Sequence, residues 1–238
     1  MEHWELLKPG GYRFVCDSAL FPPGTDTFLL SSLPSLKPGL RVCDLGCGTG
    51  LLGLLLLQRE PRLNVTGVEL QEDAVRLAER AAAENSLTDR LTCLHGDIRE
   101  IRALLPAGSF DLVVCNPPYY PPDAGKPART PALQTARSER ACTLEDVCRA
   151  AAWLLRWSGR VCLVHKPERL TDLLCCMRSA GLEPKRLREV CKAPGSSPSL
   201  VLVEGRRGGR PGLSIEPPLA LQTPDGTPTK ELDHIYFR

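Results

Sequence analysis

Short apolar runs alternate with stretches of helical periodicity along most of this chain, and that alternation constrains its fold more than any other feature. Arg41 to Leu45, Asn64 to Leu70, Leu91 to His95, Phe110 to Cys115 and Gly159 to Val164 read as buried strands. Leu51 to Arg59, Asp73 to Ser86, Thr143 to Trp157 and Glu168 to Ala180 read as helices. In the second of these, Val75, Leu77, Ala78, Ala81 and Ala82 share one face. Thr143 opens its helix as Thr-x-x-Asp, close to a capping box but with Asp in place of Glu, and Gly181 ends the last helix. This order predicts a doubly wound α/β fold, a mostly parallel sheet with helices on both faces. Arg186 to Cys191 and Ser199 to Glu204 read as a closing antiparallel pair, making seven strands with the last one antiparallel.

The flanks are less regular. Residues 1–38 read as a lead-in packed on the core, and residues 39–238 as the single domain. Pro22-Pro23-Gly24 predicts a turn, after which Thr25 or Asp26 caps a short helix from Thr27 to Leu33. Residues 120–138, with Pro121-Pro122, Gly125 and Pro127, read as a long irregular loop after the fourth strand. The tail from Arg206 is rich in Pro and Gly, with one apolar anchor at Ile235-Tyr236-Phe237. Trp153 and Trp157 are expected on one helix face, in the core.

Composition narrows the function classes. A formal charge of only +2 on 238 residues means that any nucleic-acid site must come from local basic clusters. The eleven cysteines show no zinc spacing, and many lie in apolar runs, so buried thiols in a reducing compartment are expected and no metal. The start lacks a secretory apolar segment, and Leu51 to Leu57 is too short to span a bilayer, which predicts a cytoplasmic protein with no membrane contact.

The chemistry sits at the carboxyl ends of the strands, where open α/β sheets bind ligands. Asp44-Leu45-Gly46-Cys47-Gly48-Thr49-Gly50 is a glycine loop leading into a helix N-terminus. Dinucleotide-binding enzymes have similar loops. Asp44, however, would sit badly beside a pyrophosphate and well beside an ammonium, as S-adenosylmethionine offers. Cys47 reads as a small side chain facing the fold. Glu69 ends the second strand and can accept both hydroxyls of a ribose. Asp97, after the third strand, either accepts from an adenine amino group or caps the helix Ile98 to Leu105. Gly46, Cys47, Gly48, Gly50, Leu70 and Ile98 complete the expected cofactor contacts with Asp44, Glu69, Asp97 and Asn116.

The fourth strand runs into Asn116-Pro117-Pro118-Tyr119. The Asn side-chain oxygen and the Pro117 carbonyl can each accept one hydrogen of a planar amino group. The two prolines fix that backbone in advance, and Tyr119 can lie against a flat ring. A methyl-donor loop upstream of such a step points to methyl transfer to nitrogen, with Asn116, Pro117, Pro118 and Tyr119 as its catalytic set.

This constellation resembles the class I S-adenosylmethionine-dependent methyltransferases, Rossmann-like enzymes, in the amino-methylating group that carries the Asn-Pro-Pro-Tyr motif. Gly11-Tyr12-Arg13-Phe14 with Asp17, Ala136-Arg137-Ser138-Glu139, Val164 to Leu170, Glu183 to Arg188 and Thr229 to Tyr236 resemble the bacterial valine-tRNA adenine-N6 methyltransferases. Lys166 departs from that pattern, where Arg is more usual; it keeps the charge without the planar fork. The resemblance implies N6-methylation of an adenine beside the anticodon of valine tRNA. Arg137, Lys166 and Arg169, beside the expected active edge, are the expected RNA contacts, and the sequence leaves the oligomeric state open between monomer and weak dimer. Read from the residues alone, a protein glutamine, a ribosomal RNA or DNA amino group, a nicotinamide-dependent oxidoreductase and a non-catalytic RNA-binding module remain alternatives.

Overall fold

The computed structural model describes residues 2–17, 24–117 and 142–238. The predicted α/β alternation is present. Strands β1 (Glu2–Leu6) and β2 (Arg13–Asp17) form an antiparallel hairpin, followed by α1 (Thr25–Ser32). The main sequence is then β3 (Arg41–Leu45), α2 (Leu51–Arg59), β4 (Asn64–Glu69), α3 (Glu72–Glu84), β5 (Leu91–His95), α4 (Ile101–Leu104) and β6 (Phe110–Cys115). After residue 142 come α5 (Leu144–Leu154), β7 (Leu155–His165), α6 (Leu170–Ser179), β8 (Leu182–Cys191), β9 (Pro198–Arg207), β10 (Ser214–Ala220) and α7 (Lys230–Ile235).

The large sheet has eight strands in the order β10-β8-β9-β7-β6-β3-β4-β5. Strands β3 to β7 are mutually parallel, and β9 runs antiparallel to both β7 and β8. The expected antiparallel strand is therefore β9, but the sheet has one strand more than seven. The extra strand, β10, pairs parallel with β8 and comes from the tail that the sequence presents as irregular. Its Pro217 and Pro218 fall in the register shift between Glu216 and Leu219. An edge strand tolerates prolines because half of its backbone groups need no partner. The lead-in also holds more structure than its weak periodicity suggests, namely the β1–β2 hairpin.

Side chains alternate along each strand, so the sheet buries two faces. Val42, Leu112, Val114, Cys162 and Val164 join a core that includes Leu29 and Leu30 of α1, Leu54 to Leu57 of α2 and Ala78 of α3. Cys43, Leu45, Val113, Cys115, Val161 and Leu163 face the opposite core, with Ile101 of α4, Val147 and Ala151 of α5, and Leu173 and Met177 of α6. Helix α2 is buried from Leu51 to Leu57, which explains its lack of a polar face. Gly53 lets it press on the sheet: a Cβ there would stand 2.9 Å from Leu91 Cδ1.

Local signals vary in how well they survive. Thr143 and Asp146 form a complete capping box, so Asp replaces Glu without loss of either bond. Helix α1 starts at Thr25 with Gly24 at the cap, so neither Thr25 nor Asp26 caps it by a side chain. Helix α5 ends at Leu154, and Trp157 consequently lies on β7, 72% exposed, its ring standing where a Gly208 Cβ would be. Trp153 stays half-buried, donating from Nε1 to Leu105 O at 3.0 Å. Among the described residues, no helix is long and apolar enough to cross a membrane.

Candidate functional site

Strands β6, β3, β4 and β5 are consecutive neighbours, so their carboxyl ends form one edge. Register aligns Leu45 with both Val68 and Cys115, and Glu69 with His95. Asn116, the glycine loop, Glu69 and Asp97 therefore follow one another along roughly 15 Å of edge, three strand spacings. Residues far apart in sequence have become a spatial row, with Asn116, the last of them in the chain, beside the first.

The glycine loop is strapped to the neighbouring strand. Gly46 N and Cys47 N both donate to Val68 O, at 2.8 and 3.2 Å. Gly48 N donates to Glu69 Oε2 at 2.9 Å, and Gln71 N to Glu69 Oε1 at 2.9 Å. Glu69 thus fixes the loop with one lone pair on each oxygen and keeps others for a ligand. Gly46 and Gly48 have φ of 72° and 53°, and a Cβ on either would meet nothing within 4 Å. Glycine is required here by the left-handed backbone, and the open side of the loop is a cradle. Gly48→Ala should cost about 1–2 kcal/mol from the strained backbone alone, read by chemical denaturation, and weaken binding of any ligand lying on that loop.

Cys47 points inward. Its Sγ lies 3.9 Å from Cys93 Sγ, and it covers Gly67, whose Cβ would stand 2.5 Å from it. The contact with Cys93 and burial hold the thiol well above its ordinary range, which suits packing and not nucleophilic attack.

Asp44 is the penultimate residue of β3, just before the loop, and is 2% exposed. Its Oδ2 has no hydrogen-bond partner among the described residues. Burial, and next the charge of Glu69, push this carboxyl up to about 8. A buried acid with an unsatisfied oxygen next to an open glycine cradle is matched to a cationic ligand group. The donor set fits S-adenosylmethionine on that ground.

Asp97 takes the second of its two expected roles. It caps the turn Ile98–Glu100 by accepting from Arg99 N at 2.9 Å, and its other oxygen pairs with Arg99 Nε at 2.8 Å. The Arg99 hydrogen bond holds the carboxyl below its usual range. Leu70 and Ile98 stand next to Glu69 and Asp97, Leu70 40% exposed, an apolar surface beside two acids.

At the other end of the row, Asn116 Nδ2 donates to Thr27 Oγ1 at 3.2 Å. Pro117 is buried. Pro118, Tyr119 and Arg137 lie outside the described residues. The Thr27 contact spans 89 positions in sequence and has no local signature. Lys166 and His165 sit at the end of β7, with Lys166 N donating to His165 Nδ1 at 2.9 Å. Arg169 Nε pairs with Asp172 Oδ2 at 2.6 Å. On β8, Arg186 pairs with Glu216 and Glu204, Arg188 with Glu231, and Lys185 Nζ donates to Arg210 O at 3.0 Å, so these three basic side chains are engaged within the fold.

His165 is fully buried, and desolvation, then the charge of Arg169, hold its imidazole down to about 4. The unfolded chain therefore binds this proton more tightly, near its ordinary 6.5. Its contribution to stability is intact above that value and is lost as pH falls toward 4. Denaturation at pH 7 and pH 5 should differ by about 2 kcal/mol from this group, and His165→Leu should remove that part of the slope.

With this geometry in place, the relatives are informative. Residues 21–170 match the family described as Methyltransferase small domain. A tRNA1(Val) (adenine(37)-N6)-methyltransferase of Porphyromonas gingivalis is 34% identical over 189 residues, covering 77% of this chain and 73% of that protein. One of the same description from Tolumonas auensis is 31% identical and covers 96% of this chain and 98% of its own. Among solved structures, a predicted O-methyltransferase from Agrobacterium tumefaciens, Atu636, superposes with a TM-score of 0.74 at 22% identity, over 90% of this chain and 96% of that one. The last similarity speaks to the fold.

Proposed function

This chain belongs to the methyltransferase small domain family, a class I S-adenosylmethionine-dependent methyltransferase resembling the bacterial tRNA1(Val) adenine-N6 methyltransferases, and from that premise we propose that it methylates N6 of an adenine beside the anticodon of valine tRNA. The single observation that carries the reading is the row along the sheet edge, with the unsatisfied Asp44 at the glycine cradle and the Asn116-Pro117 step next to it.

S-adenosylmethionine, when bound, supplies an already activated methyl group, so the chain's own work is largely positioning. Asp44 would hold the ammonium of the methionine part. Glu69 would accept from the ribose hydroxyls with the lone pairs that Gly48 and Gln71 leave open. Leu70 and Ile98 would flank the adenine ring. Asp97 keeps acceptor capacity beyond its bonds to Arg99 and can serve both its capping role and an amino group.

The exocyclic amine of adenine is a weak nucleophile because its lone pair is delocalised into the ring. Asn116 Oδ1 and the Pro117 carbonyl would accept its two hydrogens, favouring a tetrahedral nitrogen and stabilising the positive charge that grows there. Tyr119 would stack on the extruded base, a contact worth roughly 1–3 kcal/mol. Lys166, Arg169 and Arg137 would meet the RNA backbone; release of Arg169 from Asp172 is then part of RNA binding.

Methyl incorporation from labelled S-adenosylmethionine into bacterial tRNA lacking this modification, followed by nucleoside mass analysis, tests the reading. N6-methyladenosine at one position of valine tRNA is expected. Absence of label in tRNA with S-adenosylmethionine binding intact would overturn the tRNA assignment and direct the search to protein glutamine and ribosomal RNA.

A further inference from the structure

Residues two apart on a strand share a face, and antiparallel pairing sets residues of the neighbouring strand beside them. In the β1–β2 hairpin, His3 lies opposite Cys16 and Glu5 opposite Phe14. His3, Glu5 and Cys16 therefore stand on one face. Their donor atoms, an imidazole nitrogen, a carboxylate oxygen and a thiol sulfur, all lie within 4.8 Å of one another. We propose that this face binds a divalent transition metal of the zinc class, with His3, Glu5 and Cys16 as its three protein ligands and a solvent molecule as the fourth.

The donor chemistry selects the class of ion. Thiolate and imidazole suit zinc, whereas magnesium and calcium take oxygen donors. With bonds of about 2.0–2.3 Å, ligand atoms on a tetrahedral zinc stand roughly 3.3–3.8 Å apart. His3 Nε2 and Glu5 Oε1 are already 3.0 Å apart. Their side chains are 57% and 52% exposed, so both can close on the sulfur by rotamer changes that disturb no packing. Cys16 is the fixed point, since it lies in the core and its strand is held in the ladder.

The hairpin is docked by its other face. Glu2 pairs with Arg80 Nη1 at 2.6 Å, Arg13 lies over the Trp4 ring, and Asn85 at the end of α3 bonds both Arg13 N and Arg13 O, at 2.8 and 2.7 Å. None of these contacts uses the three donors. Burial, and next the charge of Glu5, push the Cys16 thiol up to about 11. A cation against the sulfur opposes both causes. On binding, a sulfur–metal bond forms, the thiol proton passes to solvent and no electron is transferred. No zinc spacing shows along the sequence because the third donor arrives by strand pairing.

Titration of the reduced full chain with Co(II), followed by Zn(II), tests the site. One equivalent of Co(II) should bind with a thiolate-to-cobalt charge-transfer band, which Zn(II) should abolish. Cys16→Ser should lose the band, and Cys175→Ser, at an exposed thiol of α6, should keep it. His3→Gln and Glu5→Gln alter exposed side chains and leave the fold intact. Each should weaken Zn(II) binding at least tenfold, because even groups outside the ligand set cost 10- to 100-fold. Wild-type affinity should rise about tenfold per pH unit between pH 7 and 9, as the Cys16 proton is released. Zn(II) should also slow amide exchange along β1 and β2 in the wild type and not in His3→Gln. A wild type without the band, a band that survives Cys16→Ser, or Zn(II) affinity unchanged in both His3→Gln and Glu5→Gln would overturn the proposal. None of these readouts involves methyl transfer.

Discussion

Asn116→Ala should lower methyl transfer by roughly 10²- to 10³-fold while the protein still binds S-adenosylmethionine. The magnitude is that of removing one preorganised group aimed at developing charge in a water-poor site. The direction follows from the row itself. Asn116 stands at the β6 end, whereas Asp44 and Glu69, the proposed partners of the ammonium and ribose, stand on β3 and β4. Losing the carboxamide removes one of the two proposed acceptors for the amine and leaves the glycine cradle and its straps from Val68 and Glu69 untouched. Thr27 loses a partner, but its hydroxyl is half-buried and can turn to water. Calorimetric titration with S-adenosylmethionine and single-turnover rates on tRNA give the two numbers. Turnover within threefold of wild type would remove Asn116 from the chemistry, and parallel loss of cofactor binding would reassign it to the cofactor pocket.

The contrast between Asn116 and Thr27 shows how far this chain is legible from its residues. The shared placement of Asp44, Glu69, Asp97 and Asn116 is readable because each lies at or just past the carboxyl end of a strand with a clear apolar signature, and a parallel sheet sends all such ends to one edge. Binary pattern and topology together convert order along the chain into neighbourhood in space. Thr27 has no such guide. It lies in a lead-in with weak periodicity and reaches Asn116 only through the docking of α1 on α2 and the C-terminal segment. The same limit explains β10. Pro217 and Pro218 argue against a strand by local rules, and only the vacant edge of β8 makes one there. Trp157 errs in the opposite direction: helical spacing from Trp153 continues past Leu154, but the backbone has already turned into β7. Asp97 illustrates a third case, in which two readings at one residue are compatible because a carboxylate has lone pairs for both.

Asp44 carries the second large effect, and it is a pH effect. In the cofactor-free protein its carboxyl is pushed up to about 8 by burial and by Glu69, against an ordinary 3.8. The native state therefore holds this proton more tightly than the unfolded chain does. Stability from the group is complete below about pH 4 and is lost as pH rises from there through 8, because the unfolded chain ionises freely while the native state must either hold its proton or bury an unpaired carboxylate. An ammonium placed against Asp44 reverses the preference and expels the proton. Between pH 6 and 7.5 the affinity for S-adenosylmethionine should accordingly rise about tenfold per pH unit, one proton released per ligand bound. Asp44→Asn should lose affinity by 10²-fold or more, the usual consequence of removing one member of a buried charge pair, and what binding remains should be flat with pH. The same variant should match the wild type in unfolding temperature near pH 4 and exceed it by a margin that grows from pH 4 to pH 8, since Asn never charges in either state. Titrations at four pH values with wild type and Asp44→Asn check both halves. Equal, pH-independent affinities in the two proteins would show that the ammonium sits elsewhere. A stability gap between wild type and variant that stays constant from pH 6 to 8.5 would show instead that Asp44 is already ionised in the free protein.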